Sequence, residues 1–279
     1  MTLYLVFTPI GNLEDITLRA LRVLKEVDVI AAEDTRHTGR LLARYDIRKP
    51  LISLHEHNES AKVQNILNRL ANDESVALVS DAGAPVISDP GYQLVRAAIE
   101  AGFQPVPIPG PSAFLTALTA SGLLTDRFTF LGFPPRKAKP RTELLQSLKS
   151  EPGVLIFYES PRRLPSLLAD IARELGPDRP VVIARELTKL HETFWRGPAA
   201  EAAQVFAQPP KGEIVALVGG APAAVAPEIT PAVAQALAGL LAGGASVADA
   251  ARLLAEITGL PRRALYQRAL ALQEPNGGQ

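Results

Sequence analysis

Val79-Ser80-Asp81-Ala82-Gly83-Ala84-Pro85-Val86-Ile87-Ser88-Asp89-Pro90-Gly91 is the stretch whose reading decides the fold. It follows an apolar run at 75–79 and is built largely of small, turn-forming and acidic residues. Gly83 and Gly91 admit backbone angles closed to other residues, while Pro85 and Pro90 remove amide donors and stiffen the turn. A strand that empties into such a loop marks, in an α/β protein, the edge of a sheet where backbone can approach a ligand. Taken alone, the stretch is equally an ordinary strand-to-helix turn.

Working outward, two loops of the same kind shift the balance toward a binding crevice. Thr8-Pro9-Ile10-Gly11-Asn12-Leu13 follows an apolar run at 3–7 and precedes an amphipathic stretch at 17–26. Pro107-Ile108-Pro109-Gly110-Pro111-Ser112-Ala113 follows a short apolar segment and opens a helical run at 113–120. Parallel strands place their carboxyl ends on one edge, so loops far apart in sequence can meet on one ligand. None of the three reads as the dinucleotide or P-loop fingerprint, which argues against those ligands in their usual setting.

Strand signals at 3–7, 27–32, 51–54, 76–79 and 105–108 alternate with helical ones at 17–27, 38–45, 60–71 and 91–101. The alternation predicts a largely parallel sheet covered by helices. A second series has strands at 127–131, 153–158, 180–184 and 213–218, with helices at 141–150, 164–175 and 198–206. Beyond Gly220 an Ala/Pro segment at 221–227 reads as a linker, followed by helical stretches at 231–242, 246–258 and 262–272. The expected fold class is α/β: two α/β domains at 1–117 and 118–220, plus an all-helical extension at 228–279. Ser246 can cap its middle helix and Gly259 can end it, and the next helix carries Arg262, Arg263, Tyr266, Gln267 and Arg268. That pattern fits a helix-turn-helix, and equally a helical cap or dimer contact.

Composition narrows the function. Lysine and arginine together number 29, as do aspartate and glutamate, so any nucleic-acid contact must come from local patches. Cysteine is absent, which excludes disulfides and thiolate metal sites. No signal peptide or bilayer-spanning run is visible, and a cytoplasmic location is expected. Pro134-Pro135-Arg136-Lys137-Ala138-Lys139-Pro140-Arg141 places four cations in a proline-rich segment, read as an exposed arm able to reach phosphates, or as a solvated linker. Arg162 and Arg163 add cations near a strand end. His55-Glu56-His57 puts two imidazoles on one side of a strand, but no further ligand cluster accompanies them. A metal site is not expected, and hydrogen bonding at a cleft rim is preferred.

The order of T-P-I-G-N-L, A-E-D-T-R, S-D-A-G-A-P-V-I-S-D-P-G, P-G-P-S-A, F-Y-E-S-P-R-R and A-R-E-L-T-K closely resembles the tetrapyrrole methylase superfamily. Within it, the chain resembles the bacterial branch that methylates a cytidine 2′-hydroxyl of small-subunit ribosomal RNA. The resemblance implies S-adenosylmethionine as cofactor, a cofactor crevice between the two α/β domains, 16S ribosomal RNA or the small subunit as partner, and a homodimer. It implies that Pro9, Ala82, Gly83, Ala84, Ile87, Ser112 and Ala113 line the cofactor pocket, closed by Phe157, Tyr158 and Leu187 from the second domain. Arg136, Lys137, Lys139, Arg141, Arg162, Arg163, Arg262 and Arg263 are then the candidate RNA contacts.

Methylating a ribose hydroxyl requires a held donor, a held ribose and a route for the proton. Glu33-Asp34-Thr35-Arg36-His37 gathers carboxylates, a guanidinium and an imidazole at a strand end. Glu33 or Asp34 can accept the proton, and Arg36 can orient that carboxylate or hold a phosphate. Asp34 as a plain helix cap paired with Arg36 is the competing reading. Lys189 can favour an alkoxide if it lies near the ribose. Two other functions stay open at this point: methylation of a tetrapyrrole such as a precorrin or uroporphyrinogen, and a non-enzymatic nucleic-acid-binding module with a ligand-sensing domain.

Overall fold

A computed structural model describes residues 1–55, 58–222 and 229–273. The chain forms two compact units, Met1–Ala221 and Pro222–Gln279.

The first half of the larger unit is built on β1 (Leu3–Val6), β2 (Val29–Ala32), β3 (Leu51–Ser53), β4 (Val76–Val79) and β5 (Val106–Ile108). Every pairing is parallel, in the order β3-β2-β4-β1-β5. All residues of β2 and β4 are buried, because helices cover both faces of the sheet. Successive residues feed opposite cores. Ile30, Ala32, Ala77 and Val79 pack with Leu24 of α1 (Leu18–Glu26) and Leu41 of α2 (Thr35–Arg44). Val29, Ala31, Val76 and Leu78 pack with Leu70 of α3 (Glu59–Ala71) and Leu94 of α4 (Tyr92–Glu100). This period of two satisfies helices on both sides from one apolar run.

Local chemistry fixes the helix starts. The Thr17 hydroxyl accepts the Ala20 amide at 3.1 Å at the head of α1. The head of α4 has no side-chain cap of its own. Instead, the buried Glu59 carboxylate on α3 accepts the amides of Gln93 at 2.8 Å and Leu94 at 3.2 Å. A tertiary cap thus holds the helix that leaves the loop at 79–91.

The second half is built on β6 (Phe128–Phe130), β7 (Val154–Glu159), β8 (Pro180–Arg185), β9 (Thr193–Pro198) and β10 (Ile214–Val218). The order is β6-β7-β10-β8-β9, with β6–β7 parallel and the other pairs antiparallel. On one face lie Leu164, Leu168 and Ile171 of α7 (Leu164–Glu174) and Ala199 and Ala202 of α8 (Ala199–Val205). The other face receives Ala117 and Leu118 of α5 (Ala113–Thr119), a helix that follows the first sheet in sequence but packs on the second. Ile10 of the first half and Leu187 of the second join that same core, so the halves share apolar contacts.

Two features depart from the sequence reading. The strand signal at β9 was missed, because Thr193-Phe194-Trp195-Arg196-Gly197-Pro198 is a half-exposed edge carrying Arg, Gly and Pro. Its partner β8 supplies the ladder that composition alone does not signal. The cationic segment at 134–141 was read as non-helical, yet α6 (Ala138–Ser147) begins inside it. Pro140 is its third residue, within the first turn, where a missing amide costs no intrahelical bond.

The smaller unit contains α9 (Pro231–Ala242), α10 (Val247–Thr258) and α11 (Arg262–Gln273) around Leu237, Ala251, Leu254, Leu260, Leu265 and Ala269. Ser246 caps α10 by accepting the Asp249 amide at 3.1 Å, and its hydroxyl donates to the Asp249 carboxylate at 2.6 Å. Gly259, at φ +70°, ends the helix in the left-handed region where glycine carries no steric penalty. A short turn then leads into α11. The linker reading at 221–227 falls mainly on residues 223–228, outside the described residues.

Candidate functional site

The carboxyl edge of the first sheet brings the three glycine-rich loops together. Thr8 and Gly83 exchange backbone hydrogen bonds of 3.0 and 2.9 Å, and the Thr8 hydroxyl donates to the Ser80 carbonyl at 3.1 Å. A β-carbon on Gly83 would stand 3.4 Å from Ile10 Cγ2 and 3.7 Å from the Pro111 carbonyl oxygen, so residues from all three loops meet there. Gly83 has φ +78°. Val86 and Ser88 also adopt positive φ, at 75° and 65°, conformations that cost energy for side chains of their type and concentrate at functional loops. Gly91, at φ +124°, is fixed by space as well: a β-carbon would lie 2.7 Å from Leu78 Cδ2.

Above this edge opens a cleft of about 500 Å³. Ile10, Ala82, Gly83, Ala84, Ile87, Ser112 and Ala113 form its wall on the first half, and Tyr158, Leu187, Ile214 and Val215 face them from the second. The volume suits a drug-sized ligand, and the small residues leave backbone within reach of it. Glu33, Asp81 and Asp89 line the same cleft. Burial, reinforced by Asp89, Asp81 and Asp34, raises the Glu33 pKa to about 7. Burial likewise lifts Asp89 to about 6 against the opposing hydrogen bond from Ser80, with Asp81 adding to the rise. Asp81 is oriented by the Asp34 amide, which donates to it at 3.0 Å. The cleft therefore combines an apolar slot with a carboxylate cluster that favours a cation and can accept a proton near neutral pH.

Comparison with known proteins locates this architecture. The family described as Tetrapyrrole (Corrin/Porphyrin) Methylases matches residues 2–203, and the RsmI C-terminal HTH domain matches residues 227–273. A Synechocystis protein named ribosomal RNA small subunit methyltransferase I is 49% identical over 97% of this chain and 98% of its own length. Its namesake from Escherichia coli O157:H7 is 50% identical over 97% of this chain and 95% of its own. The chain belongs to the ribosomal RNA small subunit methyltransferase I family. Among solved structures, a cobalt precorrin-4 methyltransferase aligns with TM-score 0.60 at 18% identity, covering 78% of this chain and 94% of its own. A uroporphyrin-III-C-methyltransferase from Thermus thermophilus aligns with TM-score 0.55 at 20% identity, with the same coverages. At such identities the likeness extends to the fold alone. The two-sheet unit is thus the tetrapyrrole methylase fold, and the helices after it belong to the family's own C-terminal domain.

Within this family member, most expected pocket residues reach the cleft and some do not. Ala82, Gly83, Ala84, Ile87, Ser112, Ala113, Tyr158 and Leu187 line it. Pro9 is buried and lies outside its wall. Phe157 is corrected: it is wholly buried in the core beneath α7, because strand alternation sends Tyr158 to the cleft and Phe157 to the opposite face.

Among the catalytic candidates, only Glu33 lines the cleft. Asp34 caps α2, accepting the amides of Arg36 at 2.8 Å and His37 at 3.4 Å, while the Arg36 guanidinium pairs with it at 3.0 Å. These bonds, led by the Arg36 side chain, hold the Asp34 carboxyl down at about 2, where it is a weak base. The cap reading therefore applies to Asp34, and Arg36 points into solvent as its partner. The Lys189 ammonium sits 3.0 Å from both Glu186 and Glu213. Burial opposes its charge, but the two carboxylates outweigh burial and raise its pKa, so its charge is already matched by protein.

The cationic candidates divide in the same way. Arg141 is buried and pairs with Asp170 at 2.7 Å, with Arg173 on the other carboxylate oxygen at 2.7 Å. It anchors α6 to α7 and is removed from the RNA contacts. Arg163 donates to the Pro134 carbonyl at 2.5 Å and pairs with the buried Glu159 at 3.1 Å, which fixes the base of the arm. Arg136, Lys137, Lys139, Arg162, Arg262 and Arg263 are exposed. Of the paired histidines, His57 lies with Glu56 outside the described residues.

Sequence reasoning passed over Asp81 and Asp89, although both stand in the opening stretch. Acidic residues beside glycines at a strand end are the signal that points to a wall favouring a cation. Gly212 and Glu213 carried no signal. Their place on the cleft depends on β10 lying at the centre of the second sheet.

Proposed function

We propose that this chain transfers the methyl group of S-adenosylmethionine to the 2′-hydroxyl of a cytidine in 16S ribosomal RNA. One observation carries the reading: the cleft is assembled mostly from residues within the methylase match, completed by 212–215 of the second sheet, in a chain that shares about half its residues, over nearly its whole length, with proteins named for methylating small-subunit ribosomal RNA. The residues present fit the cofactor. Ile10, Ile87 and Leu187 offer apolar surface to a nucleoside, the backbone of 82–84 offers polar groups at close range, and Asp81 and Asp89 favour the cationic end of a sulfonium amino acid.

When bound, the cofactor supplies an electrophilic methyl group on a sulfonium whose charge is lost on transfer. The protein has to position, exclude water and remove a proton. Glu33 is the group we assign to proton removal. It lines the cleft, and its pKa of about 7 makes it a stronger base than an ordinary carboxylate while leaving it substantially ionised at neutral pH. Asp34 and Arg36 act through the α2 start, where the Asp34 amide fixes Asp81. Tyr158 and Leu187 close the cleft from the second half. Arg136, Lys137, Lys139 and Arg162 on the α/β unit, and Arg262 and Arg263 on the helical unit, are assigned to phosphate contacts that orient the RNA. A homodimer belongs to the same reading and is tested by sedimentation of the purified protein.

The deciding experiment is transfer of labelled methyl groups to small ribosomal subunits from a strain lacking this protein, followed by nucleoside analysis. Label in 2′-O-methylcytidine is the expected result. Cofactor binding with no label in RNA would overturn the substrate assignment.

A further inference from the structure

Resting on that reading, we propose that the loop 186–192, with Leu190 at its tip, is a wedge that parts the target nucleotide from its stacked neighbour, while the groove beside it seats an adjacent phosphate. Leu190 is 93% exposed, the highest value among the exposed large hydrophobic residues described. It stands three residues from Leu187, which lines the cleft. The tip is therefore within about 10 Å of the cleft wall along the chain.

The loop is stiff enough to act as a wedge. Glu186 and Thr188 are held at positive φ, 54° and 66°. The Thr188 amide donates to the Glu192 carboxylate at 2.7 Å, and the Glu192 amide donates to the Lys189 carbonyl at 3.1 Å. Lys189 bridges Glu186 and Glu213, tying the loop to the start of β10. The first half buttresses it: a β-carbon on Gly11 would lie 2.7 Å from Lys189 Cγ and 2.9 Å from Thr188 Oγ1. Leu190 is thus an apolar side chain on a braced turn rather than on a free strand of loop.

Beside it lies a groove of about 570 Å³ whose lining includes Arg185, His191 and Lys211. Glu186 and Glu192 line it too, but each is engaged within the loop, Glu186 with Lys189 and Glu192 with the Thr188 amide. Glu192 keeps its charge in that bond, and the cations left to meet a phosphate are Lys211 and Arg185, the latter held by the Thr193 hydroxyl at 3.2 Å and the Lys211 carbonyl at 3.1 Å. Lys211 of the groove is followed directly by Gly212 and Glu213 of the cleft, so groove and cleft share one rim. An A-form helix displays its 2′-hydroxyls in a shallow groove, but a donor recessed between the two halves is reached only by a nucleotide drawn out of the stack. Apolar wedges flanked by cations are how proteins unstack a base step and take a nucleotide out.

The test compares wild type, Leu190→Ala, Leu190→Met and the double variant Arg185→Gln/Lys211→Gln on small subunits lacking the methyl group. We expect Leu190→Ala to lower kcat/KM for the subunits by about tenfold to a hundredfold, the scale of the unstacking cost that an apolar wedge offsets. Its affinity for S-adenosylmethionine and its sedimentation should be unchanged, and Leu190→Met should recover most of the rate. The double variant should raise KM and reduce its dependence on salt. Wild-type rates in Leu190→Ala would overturn the wedge alone, whereas absence of label with wild-type protein would overturn the methyltransferase reading and the wedge with it. Weakened self-association or cofactor binding in Leu190→Ala would also overturn it, assigning the tip to a second copy of the chain or to the cleft.

Discussion

The two sheets of the α/β unit face one cleft with different devices. The first is wholly parallel, so its strands deliver three loops to one edge, where backbone, small residues and carboxylates meet. The second is mostly antiparallel and contributes individual side chains, Tyr158 from β7, Leu187 from the loop after β8, and Ile214 and Val215 from β10. The difference teaches that a parallel sheet organises a site by topology, while a mixed sheet organises one through tertiary anchoring. Chemistry should accordingly be concentrated in the first half and closure in the second.

Substituting Glu33 is the sharpest way to break that division. Glu33→Gln should lower kcat by about a hundredfold or more, the usual scale for losing a general base, with little change in cofactor affinity. In wild type, kcat should rise with pH through about 7 as Glu33 ionises, and the limb should vanish in the variant. Stability gives an independent sign. Folding lifts the Glu33 pKa from 4.5 to about 7, so between those values the native state binds a proton that the unfolded chain lacks. That contribution is present below about 4.5 and is lost as pH rises to 7. Glu33→Gln should therefore raise Tm relative to wild type at pH 8 and not at pH 4. Equal rates in the two proteins would move the proton acceptor elsewhere.

Next in size is the anchor of the second half. Asp170→Ala leaves Arg141 buried and without its main partner, and should cost about 3 kcal/mol by denaturant unfolding. Replacing both by apolar residues, Arg141→Met with Asp170→Leu, should recover much of that loss. If the halves divide as argued, the double variant keeps its cofactor affinity.

Gly83→Ala tests the first half at its crossing point. The added carbon finds room 3.4 Å from Ile10, so the penalty is the positive φ, on the order of 1 to 2 kcal/mol. Cofactor affinity, measured by calorimetry, should fall by about tenfold, with the second sheet's stability unaffected.

The smallest effect concerns the helical unit. Arg262→Gln with Arg263→Gln should lower the slope of log affinity for small subunits against log salt by about two if both touch phosphates. An unchanged slope would remove α11 from the RNA contacts.

Much of the first half was legible because its elements obey local rules. Periodicity placed all five strands of the parallel sheet, and glycine with proline placed the loops at 8–13, 79–91 and 107–113. Cap chemistry, written at Asp34, Ser246 and Gly259, is equally local. The second half was less legible. β9 is an edge strand whose partner lies in another segment, and Arg141 reads as a free cation until Asp170, 29 residues later, is brought against it.

By itself, then, the sequence determined the α/β class, the three loops, the family resemblance and Glu33 as one of a few candidate bases. Tertiary structure alone decided which candidates face the cleft. Strand alternation turned Phe157 away and Tyr158 toward it, capping took Asp34 out of the acid-base role, and ion pairing removed Lys189 and Arg141 from the free cations. The physical reason is that a backbone preference is settled by neighbours along the chain, whereas the charge, exposure and reach of a side chain are settled by neighbours in space.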